Sequence, residues 1–120
     1  MKIGNIIKKE CEPILSKYGF KYLGTIAGGI WGFERFEGEI KQEIYFQKSN
    51  YSKSITVEIQ VKKKNGNSML DMGYFIGKED IQKWWEYETE EDLREILKKL
   101  LDGFENNNGL ETLKNIGKKK

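Results

Sequence analysis

Histidine is absent from the 120 residues, cysteine occurs once, at Cys11, and proline once, at Pro13. Without histidine the chain lacks the commonest general acid–base group and the commonest metal ligand. Triads built on an imidazole are excluded. A single thiol makes neither an internal disulfide nor a thiolate-rich zinc site. No metal and no cofactor are therefore expected, and no catalytic residue is assigned. An enzyme would have to work with carboxylates, lysine or tyrosine. The lone cysteine suits a reducing cytoplasm. Long apolar runs are missing too, and nothing approaches the roughly 20 apolar residues of a membrane span. The opening stretch, "MKIGNIIKKECEPILSKYG", is broken by Lys8, Lys9, Glu10 and Glu12. It has no apolar segment of the kind that a secretion signal needs. No contact with a membrane is expected.

Charge is plentiful but balanced. Charged residues make up 33% of the chain and aromatic residues 12%, which is the composition of an ordered domain. Residues 1–65 hold 12 basic and 7 acidic side chains, and residues 66–120 hold 9 and 12. A nucleic-acid binder concentrates basic charge more strongly than this. The length suits one domain over residues 1–120, large enough to bury a core unaided. Its end, residues 117–120, is expected to fray.

Ile3, Ile6, Ile7, Cys11, Ile14, Leu15 and Tyr18 form a helical stripe over residues 2–18. Pro13 should kink that helix or divide it. Gly19 is placed to cap it in the left-handed conformation, with Phe20 packing back on Leu15. A short strand, Phe20–Thr25, and a turn in "TIAGG" follow. Ile30–Phe36 and Glu39–Gln47 flank a hairpin turn at Glu37-Gly38. That turn pairs Trp31 with Ile44, Phe33 with Gln42 and Arg35 with Ile40, and on the other face Glu34 with Lys41 and Gly32 with Glu43. Ser54–Lys62 alternates strictly, with Ile55, Val57, Ile59 and Val61 on one face. Asn65-Gly66 marks a second hairpin, which sets Leu70, Met72, Tyr74 and Ile76 opposite Val61, Ile59, Val57 and Ile55. Lys78–Trp85 reads as a short helix. Thr89 caps a longer one, whose Leu93, Ile96, Leu97, Leu100, Leu101 and Phe104 recur at helical spacing up to "NNNG" at 106–109. Leu110, Leu113 and Ile116 suggest a last turn or two. No internal repeat is visible.

The expected fold class is α+β: an N-terminal helix, an antiparallel sheet of four to five strands in meander order, and C-terminal helices. The elements should stack as a two-layer sandwich. The helices should cover the sheet face of Trp31, Phe33, Ile44, Phe46, Val57, Ile59 and Met72. The other face should be open, carrying Glu34, Lys41, Glu43, Tyr45, Gln47, Thr56, Glu58 and Gln60.

"PILSKYGFKYLG", "EIYFQKSNYSKSITVEIQV" and "WWEYETEEDLREILKKLLDGFENNNGLETL" together resemble the bacterial domain-of-unknown-function family numbered 4304. The likeness spans nearly the whole chain through short, structural motifs. It implies the same fold class and brings no established activity or catalytic residues, so no site residue is carried over. Small cytoplasmic domains of this general kind include immunity proteins against bacterial toxins, which makes a toxin one candidate partner.

Three places could carry function. The polar centre Lys48–Lys53 offers Lys48, Ser49, Asn50, Ser52 and Lys53 as donors for a phosphate or carboxylate, with Tyr51 among them. The simpler reading is a hydrated hairpin loop. The open face, with Tyr45 and Gln47, is mixed in charge, and its carboxylates oppose nucleic acid. It suits a protein partner or a homodimer, or it has no partner at all. On it Glu43 and Glu58 are the one carboxylate pair on adjacent strands that could serve glycosidase chemistry. Solvated side chains are the plainer account. Trp84-Trp85 is the third place: both rings wedge into the core, or one of them, taken as Trp85, anchors an interface. The acidic run Glu86–Glu95, six carboxylates against Arg94, is the polar start of a helix or a surface for a basic partner. The expected role is protein binding without catalysis, with an anion or nucleic-acid site at Lys48–Lys53 as the alternative.

Overall fold

The computed structural model describes residues 2–63, 66–71 and 84–106, with backbone alone at 37, 61–63 and 66–71. Within them lie α1 (Ile3–Leu15), a 3-10 turn (Ser16–Tyr18), β1 (Lys21–Ala27), β2 (Ile30–Glu37), β3 (Ile40–Lys48), β4 (Ser54–Lys63), β5 (Gly66–Asp71), β6 (Trp85–Glu86) and α2 (Glu90–Asn106). The fold is α+β, with strands β1 to β5 in meander order between the two helices. The strands β1 to β5 are each antiparallel to the next. One edge of β4 is shared. β5 pairs with Glu58–Lys63, and β6 pairs with Ser54 and Ile55.

The end of α1 follows from its sequence. The helix runs through Pro13 to Leu15 and only then tightens, so regular helix breaks two residues after the proline. Gly19 takes φ 88°, its N–H donates to the Ser16 carbonyl at 3.1 Å, and the Phe20 N–H donates to the Leu15 carbonyl at 3.2 Å. These are the two bonds of a Schellman cap. At the start of α2, the Thr89 hydroxyl accepts from the Asp92 N–H at 3.1 Å. The Asp92 carboxylate accepts in return from the Glu88 and Thr89 N–H groups at 3.0 and 3.1 Å. This reciprocal cap satisfies donors that the first turn of a helix leaves bare.

Ile6, Ile7, Cys11 and Leu15 of α1, Leu93, Leu97, Leu100, Leu101 and Phe104 of α2, and Phe33, Ile44, Phe46, Ile55, Val57 and Ile59 of the sheet belong to one buried cluster. The strand residues all lie on one sheet face, as their alternation requires. Arg35 shares that face. Its guanidinium donates to the Tyr18 carbonyl at 2.7 Å and to Gln42 Oε1 at 2.5 Å, and it lies 4.7 Å from the centre of the Phe20 ring. It thus ties the end of α1 to the sheet. Tyr18 reaches across to α2, donating to Glu105 at 2.5 Å.

Both hairpins keep their expected faces and change their partners. Trp31 pairs with Phe46, Phe33 with Ile44 and Arg35 with Gln42, each two residues from expectation. The turn therefore centres on Gly38-Glu39. Gly38, at φ 66°, takes the first central position, which both favoured hairpin turns hold at positive φ. In the second hairpin Ile59 pairs with Leu70 and Val61 with Ser68, again a slip of two. Met72, Tyr74 and Ile76 lie outside the described residues, as do the expected last turns at Leu110–Ile116. The first strand starts one residue late and runs on through Ala27, so only Gly28-Gly29 of "TIAGG" turns. The expected helix 78–85 is corrected at its end: Trp85 is in a strand, and 78–83 lie outside the described residues. The face expected to be open is partly closed, because Glu43 and Thr56 are buried. Among the described residues no helix is long and apolar enough to cross a membrane.

Candidate functional site

The loop after β3 is built by its own serines. The Ser49 N–H donates to the Ser54 carbonyl at 2.9 Å, which closes the hairpin. Inside it, the Tyr51 N–H donates to Ser49 Oγ at 3.0 Å, and the Ser52 and Ser54 hydroxyls share a bond of 2.8 Å. Short hydroxyl side chains stabilise turns in this way. Tyr51 is left 98% exposed.

A segment thirty residues downstream docks on this loop. The Tyr87 N–H donates to the Lys53 carbonyl at 2.9 Å, Glu86 pairs with Ser54, and Trp85 pairs with Ile55. Because β6 is a strand, successive side chains alternate. Trp85 turns to the core face beside Ile55 and is buried, while Trp84 remains 40% exposed. Of the two tryptophans the surface residue is therefore Trp84, and Trp85, the expected anchor, belongs to the core. Ser49, Tyr51, Ser52, Ser54, Trp84 and Glu86 line an open hollow of about 650 Å³. It presents two aromatic rings, three hydroxyls and one carboxylate.

The other expected residues are placed elsewhere. Lys48 pairs with Ile55 on the inner face, and its N–H donates to the Gly29 carbonyl at 2.8 Å. Lys53 is exposed. Neither lysine is among the residues lining the hollow. Gln47 pairs with Thr56 and Ile30 on the outer face. Tyr45 belongs to a separate cluster there. A Cβ on Gly32 would stand 3.0 Å from the Tyr45 ring, so the glycine lets that ring lie against the sheet. Its hydroxyl donates to the Glu43 carboxylate. Lys41 reaches Glu34 at 3.1 Å and Glu43 at 3.6 Å. Burial first, and the bond to Glu43 second, push the Tyr45 phenol well above its usual range. Its bond to Glu34 chiefly holds the Lys41 ammonium above its ordinary value. Both groups thus stay protonated and act as donors to Glu43, which leaves neither as a base. Glu43 faces Gln60, and Glu58 faces Tyr45, so the expected carboxylate pair is diagonal. No group of three metal-ligating side chains occurs among the described residues.

Ser54 was not among the expected residues, Glu86 entered only as part of the acidic run Glu86–Glu95, and of the two tryptophans the exposed one is Trp84. The available signal was the string Trp84-Trp85-Glu86-Tyr87, whose strand alternation puts Trp85 and Tyr87 inward. Both are buried. Comparison with protein-family models, with curated proteins and with solved structures finds no match.

Proposed function

We propose that this chain is a non-catalytic protein-binding domain and that the hollow at Ser49–Ser54 and Trp84–Glu86 is its contact surface. The observation that carries the reading is the pair of exposed aromatic residues, Tyr51 and Trp84, on one concavity lined also by Ser49, Ser52, Ser54 and Glu86. Tyrosine and tryptophan dominate binding energy at protein interfaces, where each buries a large area at small entropic cost. An immunity-type role against a toxin belongs to the same proposal, as does a cytoplasmic location. The alternative, an anion or nucleic-acid site at Lys48–Lys53, has less support, since the hollow is lined by Glu86 and by neither lysine.

The test uses the whole chain as bait in native lysate, beside Tyr51→Ala and Trp84→Ala. One protein held by the parent and lost with both variants is the expected result. Equal retention by all three baits moves the contact off the hollow. No retention at micromolar bait removes the proposal.

A further inference from the structure

The chemistry of the hollow narrows the partner. We infer that it receives a cationic side chain, an arginine or lysine, presented by the partner protein; this rests on the protein-binding reading above. The lining combines two aromatic rings, Tyr51 and Trp84, with the Glu86 carboxylate. A cation is drawn to the face of an aromatic ring by the ring's quadrupole, most strongly by tryptophan. A carboxylate at the same place supplies the opposite charge, and for arginine a two-pronged acceptor. The hydroxyls of Ser49 and Ser52, each already in one hydrogen bond within the loop, retain a lone pair for the remaining N–H groups, while Ser54 is buried.

Charge around the hollow points the same way. The described lining contains no lysine or arginine. The chain leaves the hollow through Glu86 into Glu88, Glu90 and Glu91, all exposed. Arg94 offsets Glu90 at 2.7 Å, and the cap bonds hold Asp92 ionised, so among the described residues there Glu86, Glu88, Glu91 and Asp92 supply the negative charge. That field favours approach of a basic partner and opposes a phosphate. Lys48 and Lys53 belong to the adjoining loop, but Lys48 sits in register with Ile55 on the inner face. Lys48 is thus set apart from the residues that would meet the guest, and Lys53, exposed between Ser52 and Ser54, is not among the described lining residues.

The experiment titrates a short arginine peptide into the full-length, isotope-labelled chain. The same peptide with citrulline in place of arginine is the neutral control, and a phosphoserine peptide is the anionic one. The readout is the Trp84 indole N–H and the Ser52 and Ser54 amides. The expected result is saturable shifts at these groups with the arginine peptide, and binding about tenfold tighter than with citrulline. Glu86→Gln should weaken it roughly three- to fivefold, the size of one exposed ion pair. Trp84→Ala should weaken it by about thirtyfold, the size of a binding hot spot. Equal affinity for citrulline, preference for the phosphoserine peptide, no change in Glu86→Gln, or no binding at all overturns the cationic guest. If retention of a lysate protein still depends on Tyr51 and Trp84 in that case, the protein-binding reading stands without it.

Discussion

Truncating Leu97 tests how α2 is seated. Leu97 is fully buried midway along α2, one turn from Leu93 and one from Leu100 and Leu101, which are buried too. Leu97→Ala removes three carbons from this cluster, worth about 2.4 kcal/mol at ~0.8 kcal/mol per buried methylene. The void left behind adds to this at ~24 cal/mol per Å³, because core walls collapse only in part. The total should be about 3–4 kcal/mol, within the ~2.7–5.0 kcal/mol range of buried leucine truncations. A domain with a stability of roughly 5–15 kcal/mol remains folded after such a loss. In urea, with a slope of roughly 2 kcal/mol per molar, the midpoint should fall by about 1.5–2 M. Glu58→Gln, on the outer face opposite Tyr45, is the matched control and should cost under about 0.5 kcal/mol. Equilibrium unfolding followed by far-UV circular dichroism measures both. A loss under about 1 kcal/mol for Leu97→Ala, or a larger loss for Glu58→Gln, would refute the assignment of faces.

Other consequences are equally concrete. Arg35→Met strips donors from the Tyr18 carbonyl and from fully buried Gln42, and should cost about 2–4 kcal/mol in the same assay. Arg35→Lys should recover less than half of that loss, because an ammonium cannot reproduce the guanidinium fork. Backbone hydrogen bonds from Glu88 and Thr89 hold the Asp92 carboxyl below its ordinary 3.8. A depressed acid contributes stability above its unfolded pKa and loses it as pH falls through the folded one, so the α2 cap should weaken only below about pH 3.8. A carboxyl titration by NMR with an Asp92 midpoint at or above 3.8 contradicts this. Burial pushes the Cys11 thiol far up, and the side chain is wholly inaccessible. Native protein should therefore leave a thiol reagent unreacted until denaturant is added, and prompt labelling would place α1 off the core.

The sequence made the faces of the sheet legible, and the partners across it were harder to read. Side-chain direction in a strand repeats every two residues, so a slip of two leaves each residue on its face and exchanges every neighbour. Both hairpins slipped by two for that reason. In the first hairpin the positive φ of Gly38, at the first central position, accompanies the observed register. Thr89, Gly19 and the stripe of α2 were readable because caps and helical spacing are local. Glu43 was not, since its burial depends on Lys41 and Tyr45 and on the room that Gly32 leaves for the Tyr45 ring. The hollow was legible only in its first half. Ser49 and Tyr51 stood out as a polar loop, but Trp84 and Glu86 join them through the pairing of β6 with β4, which no local pattern announces.

Site-directed photo-cross-linking tests the central claim, that the hollow is where this chain meets its partner. A photoreactive phenylalanine analogue replaces Tyr51 in one bait. In a second bait it replaces Phe36, which is 63% exposed on the outer sheet face, and in a third it replaces exposed Lys98 on α2. Illumination in native lysate should yield one discrete adduct from position 51 and none from 36 or 98. The adduct should disappear when Trp84→Ala is added. An adduct at position 36 alone would transfer the contact to the outer face, and the same adducts from all three positions, or none from position 51, would contradict the account.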